Sequence, residues 1–214
     1  MPTQEEIYAA LCQRHGKAMQ DKLTKAKVGI AGLGGLGSNI GIALARIGVG
    51  HLHLVDFDRV DLTNLNRQHY FIRHLGKYKT EALKEQILEI NPYIQVSTDC
   101  LKITADQIPA LFQQEDIICE AFDVPENKAM LVNTVLEELP GKWLLSGNGM
   151  AGYGRSNLIQ TKQVLPKFYL CGDNTSGNDT LSLMAPRVAI CAAHEANMAA
   201  ELIIEHLGRK EVQQ

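Results

Sequence analysis

Apolar and polar positions along this chain switch between two periods. Short apolar runs occupy Lys27–Ala31 (KVGIA), His51–Val55 (HLHLV), Ile94–Ser97, Asp116–Cys119 (DIIC) and Trp143–Leu145, each of strand length. Between them lie segments with helical spacing. One runs from Leu36 to about Ile47. Another, Tyr78–Ile90, repeats apolar residues at Leu83, Ile87 and Ile90 and stops at Asn91-Pro92. A third, Pro125–Glu138, opens on proline and carries Met130, Leu131 and Val135. Thr104 with Gln107 caps a short helix, and Thr3-Gln4-Glu5-Glu6 reads as a capping box opening an N-terminal helix that ends near Leu23, within residues 1–25. The stretch 57–76 is polar and irregular.

Strand and helix signals alternate from residue 27 to 145, the pattern of βαβ units in a doubly wound sheet. Beyond 145 the pattern changes. Arg155–Thr161 reads as a strand, residues 166–182 as a flexible crossover loop rich in Gly, Asn and Asp, and Met184–Leu207 as a long Ala-rich helix. The expected fold is α/β: a Rossmann-like doubly wound sheet, largely parallel, with antiparallel strands in the C-terminal part, in a single domain over residues 1–214.

Composition narrows the classes. The 214 residues carry a formal net charge of −3, which argues against a nucleic-acid binder. Hydrophobic residues make up 45% and charged residues 21%, which excludes general disorder. No apolar run approaches membrane-spanning length, and Met1–Tyr8 lacks a signal pattern. The cysteines are Cys12, Cys100, Cys119, Cys171 and Cys191. Their odd number and the absence of CxxC argue for reduced thiols in a cytoplasmic protein, with neither a disulfide framework nor a four-cysteine zinc site.

Glycine is unevenly placed: eight of the 18 fall between Gly29 and Gly50. Gly32-Leu33-Gly34-Gly35-Leu36-Gly37 follows a strand, opens a helix and contains GxGxxG. Gly32, Gly34, Gly35 and Gly37 allow a tight turn whose backbone N–H groups can meet phosphate at the positive end of a helix. Asp56 ends the next strand, where a carboxylate can accept ribose hydroxyls. A nucleotide is the expected ligand. A structural βα turn without ligand is the bland alternative.

More than a dinucleotide fingerprint follows. Asp58 and Asp61 lead into Asn64-Leu65-Asn66-Arg67-Gln68 and then Gly76-Lys77-Tyr78-Lys79. Arg67 and Lys79 flank the mouth of the expected site, where two cations suit a triphosphate under attack at phosphorus. Asp123 follows the fourth strand at the same sheet edge and could hold magnesium. Taken singly, these side chains read equally well as solvated surface charge or, for Asp123, as a helix cap.

GLGGLGS (32–38), VDFDRVDLTNLNRQ (55–68), GKYK (76–79), Asp123, SGNGMAGYG (146–154) and LMAPRV (183–188) together resemble the ThiF/MoeB/HesA group, which is similar to the adenylation domain of ubiquitin-activating enzymes. The resemblance runs from about Arg14 to Gly208. It implies an ATP-dependent enzyme that adenylates the C-terminal Gly-Gly carboxylate of a small ubiquitin-like sulfur carrier, releasing pyrophosphate. By the same resemblance Asp56 holds ribose with Asp58 close by. Asn64, Arg67, Gln68 and Lys79 engage phosphates, Asp123 binds Mg²⁺, and Arg14 reaches the phosphates of a partner subunit in a homodimer. A carboxylate is a competent nucleophile at neutral pH, so orientation and charge neutralisation suffice and no general base is needed.

The chain lacks the two zinc-binding CxxC pairs of many members, so no structural zinc is expected. The short length and this absence look most like the compact branch linked to thiamine biosynthesis. Cys171, in the expected loop, is an open candidate for a covalent link to the carrier, whereas Cys191 reads as a core thiol. Three rivals stay open: an NAD-dependent oxidoreductase, an idle nucleotide-binding scaffold, and adenylation of another substrate such as the molybdopterin carrier, a tRNA or a peptide.

Overall fold

The computed structural model describes residues 1–177 and 181–207. Seven strands form one sheet. They are β1 (Lys27–Ala31), β2 (His51–Val55), β3 (Gln95–Asp99), β4 (Ile117–Glu120), β5 (Trp143–Gly147), β6 (Gln160–Leu165) and β7 (Phe168–Gly172), in the order β3-β2-β1-β4-β5-β7-β6. Every pair is parallel except β6 with β7 at the far edge. The expected sheet, parallel with an antiparallel C-terminal part, is the one observed.

Helices cover both faces, so the central strands alternate between two apolar clusters. Val28, Ile30, Ile117 and Cys119 pack with α3 (Gly35–Arg46), α4 (Lys79–Ile90) and α7 (Ala185–Glu205). Ala31, Ile118 and Leu144 point the other way, toward α5 (Ile108–Leu111) and α6 (Pro125–Glu138). Gly29 belongs to this second face: a β-carbon there would stand 2.8 Å from the Phe112 ring, which fills the space instead.

Three local expectations are corrected. The N-terminal helix is two helices, α1 (Gln4–His15) and α2 (Lys17–Lys25). Gly16 breaks it at φ +83°, donating its N–H to Cys12 O at 2.9 Å as α1 ends. The strand expected over Arg155–Thr161 starts later, at Gln160, because Arg155 takes a left-handed conformation and residues 156–158 form a 3₁₀ turn. The interval 166–182 is not all loop. It contains β7, joined to β6 through Pro166 and Lys167, and Lys167 at φ +63° completes that turn. Residues 178–180 of this interval, and Gly208 at the end of the resemblance, lie outside the described residues.

Parallel strands run their C-terminal ends to one edge. Gly32, Asp56, Ala121 and Asn148 immediately follow β1, β2, β4 and β5, and the site is built there.

Candidate active site

The turn after β1 is shaped by what a side chain would strike. Gly32 has φ +89°, and a β-carbon on it would sit 2.8 Å from Ala121 O. A β-carbon on Gly37 would sit 1.9 Å from Gly32 O. These two glycines make the close strand–helix turn possible. Gly34 and Gly35 line the two cavities that open over it.

The first cavity lies between the ends of β1 and β2. Asp56 borders it, 8% exposed; its Oδ2 accepts the Leu33 N–H at 2.6 Å and its Oδ1 the Asp58 N–H at 2.7 Å. Burial pushes the Asp56 carboxyl up, and the Lys79 charge and the two N–H bonds only partly offset it, so it titrates above the ordinary range. Lys79 opens α4, 6% exposed, with Nζ 2.8 Å from Asp58 Oδ2. Leu101, Ile103 and Met130 give the cavity an apolar wall.

The segment after Asp58 is strapped onto the glycine turn. The Tyr70 hydroxyl donates to Leu33 O at 2.8 Å, Asn39 Nδ2 donates to Arg67 O at 3.2 Å, and the His69 N–H reaches Ser38 Oγ at 2.9 Å. This strap carries Arg67 and Gln68 into a second cavity of about 440 Å³. Arg67 donates to Asn66 Oδ1 at 2.9 Å and pairs with no carboxylate among the described residues. Gln68 is 7% exposed and its buried Oε1 has no hydrogen-bond partner.

Asp123, exposed at the N-terminal side of α6, borders both cavities, and none of the hydrogen bonds or ion pairs of the described residues involves its carboxylate. An unpaired carboxylate facing a phosphate-sized space fits a magnesium ligand. Among the described residues there is no group of three or more His, Cys, Asp or Glu able to hold a metal by themselves. A metal here would therefore share its coordination with phosphate oxygens.

Two expected site residues lie elsewhere. Asn64 caps its own 3₁₀ turn, Leu62–Asn66, its Oδ1 accepting the Asp61 N–H at 3.0 Å, and it lines neither cavity. Arg14 is exposed on α1 and also lines neither cavity. One residue was missed: Lys128, one turn into α6, lines the second cavity. Its Nζ lies 2.8 Å from Glu120 Oε2 and donates to Phe122 O at 3.0 Å. No spacing signal marks it: Asp123 precedes α6, and an offset of five residues is not the three-to-four spacing that shares a helix face.

The thiols stand apart from the chemistry. Cys171 is on β7, not in a loop, and is fully buried; burial and the nearby Glu195 push its pKa up to about 12. Cys191 on α7 is buried, its thiol donates to Cys171 O at 3.3 Å, and burial raises it further still. No cysteine lines either cavity.

The ThiF family matches residues 8–214. This chain belongs to the ThiF family. Among its relatives, a Culex quinquefasciatus protein named adenylyltransferase and sulfurtransferase MOCS3 is 33% identical over 144 residues, 67% of this chain and 32% of that protein. An Aspergillus terreus protein named adenylyltransferase and sulfurtransferase uba4 is 35% identical over 159 residues, 74% of this chain and 31% of that protein. The chain thus spans about a third of the length of these relatives. The E. coli tRNA N6-threonylcarbamoyladenosine dehydratase TcdA, solved with ATP, shares the fold, with TM-score 0.83, 22% identity and 94% of each chain covered. E. coli MccB, solved with AMPCPP and MccA, superposes with TM-score 0.70 and 27% identity, over 94% of this ThiF-family chain and 64% of MccB. No helix among the described residues is long and apolar enough to cross a membrane.

Proposed function

We propose that this ThiF-family chain is an ATP-dependent adenylyltransferase that activates the C-terminal Gly-Gly carboxylate of a small ubiquitin-like sulfur-carrier protein. The observation that carries this reading is the convergence of Arg67, Gln68, Lys128 and Asp123 on one cavity that continues from the glycine turn. A hydride-transfer site needs a place for nicotinamide and has no use for so many phosphate-directed charges.

In this reading ATP lies over the turn, with its base against Leu101, Ile103 and Met130 and its ribose at Asp56. Its phosphates run past Lys79 toward Arg67. The carrier's terminal carboxylate enters the second cavity, where a carboxylate oxygen bonds to the α-phosphorus as the bond to the bridging oxygen breaks. Acyl-adenylate and pyrophosphate result. Arg67 and Lys128 offset the charge that develops in transfer, and Lys79 can leave Asp58 for phosphate. Asp123, with phosphate oxygens, would hold Mg²⁺, which supplies charge neutralisation on the leaving pyrophosphate.

Arg14 acts, in this reading, from a second copy of the chain, since no residue of α1 lines the cavities of its own subunit. The expectation of the thiamine branch rests on the short length and the missing CxxC pairs, whereas the relatives are named MOCS3 and uba4, so the carrier is proposed by its Gly-Gly end and not by its pathway. The MccB–MccA likeness favours a peptide C-terminus as the competing acyl substrate, by the same chemistry. The test is ATP–pyrophosphate exchange with Gly-Gly-ended carriers. Exchange that requires the carrier supports the reading; tight NAD binding without exchange replaces it with the oxidoreductase.

A further inference from the structure

The far wall of the second cavity is held by a buried ion pair that no part of the chemistry above uses. Asp173 follows β7 and Arg187 lies in the first turn of α7. Their side chains are 4% and 3% exposed, and Arg187 Nη2 donates to Asp173 Oδ2. Both partners reach further. Arg187 Nη1 donates to Gly154 O at 2.6 Å and Arg155 O at 3.0 Å. Asp173 Oδ1 accepts the Thr175 N–H at 2.9 Å and the Ser176 N–H at 2.8 Å. Its own N–H donates to Gly149 O at 3.0 Å.

Three separate pieces of chain are thus tied at one point: the segment after β5, the segment after β7, and the start of α7. They are the pieces that form the cavity wall, through Gly149, Ala151, Ser176 and Val188. The backbone around the tie is strained as well. Arg155, whose carbonyl Arg187 holds, has φ +49°, and Asn174, next to Asp173, has φ +59°. Non-glycine residues keep such conformations where surrounding contacts over-determine them. None of these segments touches the first cavity.

We propose that the Asp173–Arg187 pair is a positioning device for the acyl substrate: it fixes the wall against which the entering carboxyl tail lies, and leaves the nucleotide half of the site untouched. The assignment of that cavity to an acyl tail rests on the adenylyltransferase reading. Arg187 suits the task because its rigid planar fork divides the acceptors between two nitrogens, Nη2 on the carboxylate and Nη1 on two carbonyls, where an ammonium group has a single nitrogen on a flexible stem. Two buried charges with this many partners tolerate little displacement, since removing one strands the other.

The test compares wild type, R187K and R187M in the full-length chain. Three quantities are read: ATP affinity, amide hydrogen exchange over 148–155 and 173–177, and carrier-dependent pyrophosphate exchange. In R187K, which keeps the charge, ATP affinity stays within about twofold of wild type, while protection falls in those two segments but not in β1, β2 or β4. The KM for the Gly-Gly-ended carrier rises about tenfold or more with little change in the KM for ATP, and R187M shows the same split more strongly. Unchanged protection in R187K overturns the proposal, as does an equal loss of ATP and carrier affinity. If wild type exchanges pyrophosphate with no carrier, the adenylyltransferase reading falls, while ATP affinity and hydrogen exchange still decide whether the pair holds the wall independently of the nucleotide half.

Discussion

Asp56 Oδ2 accepts the Leu33 N–H at 2.6 Å, so the acid that ends β2 is fastened to the glycine turn that ends β1. One carboxylate thereby sets the spacing of the two strand ends between which a ribose would lie. Asp56→Ala is expected to weaken ATP binding about tenfold or more, because charged hydrogen bonds to the turn and to the ligand vanish together. Isothermal titration with ATP checks this; Asp56→Asn, which keeps an acceptor, should lie between alanine and wild type.

Cys171, Cys119 and Cys191 are all buried, and burial raises the pKa of each thiol. A buried protonated thiol is a poor nucleophile. Cys171→Ala is therefore expected to leave carrier-dependent pyrophosphate exchange within about twofold of wild type. Mass spectrometry should find no carrier linked covalently to this residue. A thioester or disulfide adduct at Cys171 would reverse that conclusion.

His53 stands between two carboxylates, with Nδ1 2.9 Å from Glu115 Oε1 and Nε2 2.7 Å from Asp99 Oδ2. Burial alone would lower its pKa, but the bonds to Glu115 and Asp99 outweigh it and the net shift is upward. A raised folded pKa means the stabilisation is complete below the unfolded value of about 6.5 and is lost as pH rises through the folded value. In urea unfolding across pH 6–9, wild type should lose stability relative to His53→Gln as pH rises; parallel curves would contradict the assignment.

Glu195 on α7 is fully buried, and both carboxyl oxygens lack hydrogen-bond partners. Burial raises its pKa well above the ordinary carboxylate value. The folded chain therefore keeps a proton that the unfolded chain releases. Between the two values, stability falls with rising pH by up to about 1.4 kcal/mol per unit. Glu195→Gln cannot ionise and should be spared that loss, so its advantage over wild type should grow from pH 5 to pH 8 in thermal unfolding.

The parts of this fold that local pattern encodes were legible. β1, the glycine turn, α3 and β2 announce themselves by apolar period, by glycine spacing and by Asp56 at the strand end. Pro125–Glu138 was readable because proline marks its first turn. What escaped reading depends on distant partners. The Phe168–Gly172 strand is edged by turn-forming residues and exists because it pairs with β5 and β6. The resemblance makes Asn64 a phosphate ligand, whereas its Oδ1 is engaged locally, accepting the Asp61 N–H three residues back. Lys128 and Arg187 gain their meaning from Glu120 and Asp173, which no spacing rule connects to them.

Arg67 and Asp123 line one cavity with no ion-pair partner for either among the described residues, and the proposed adenylyl transfer rests on both; ATP–pyrophosphate exchange interrogates it most directly. Wild type should exchange only when a Gly-Gly-ended carrier is present, and Arg67→Ala and Asp123→Ala should each lower the rate about a hundredfold or more while the protein stays folded. Exchange that persists in both variants, or that runs without a carrier, would contradict an adenylyl-transfer site built on these residues.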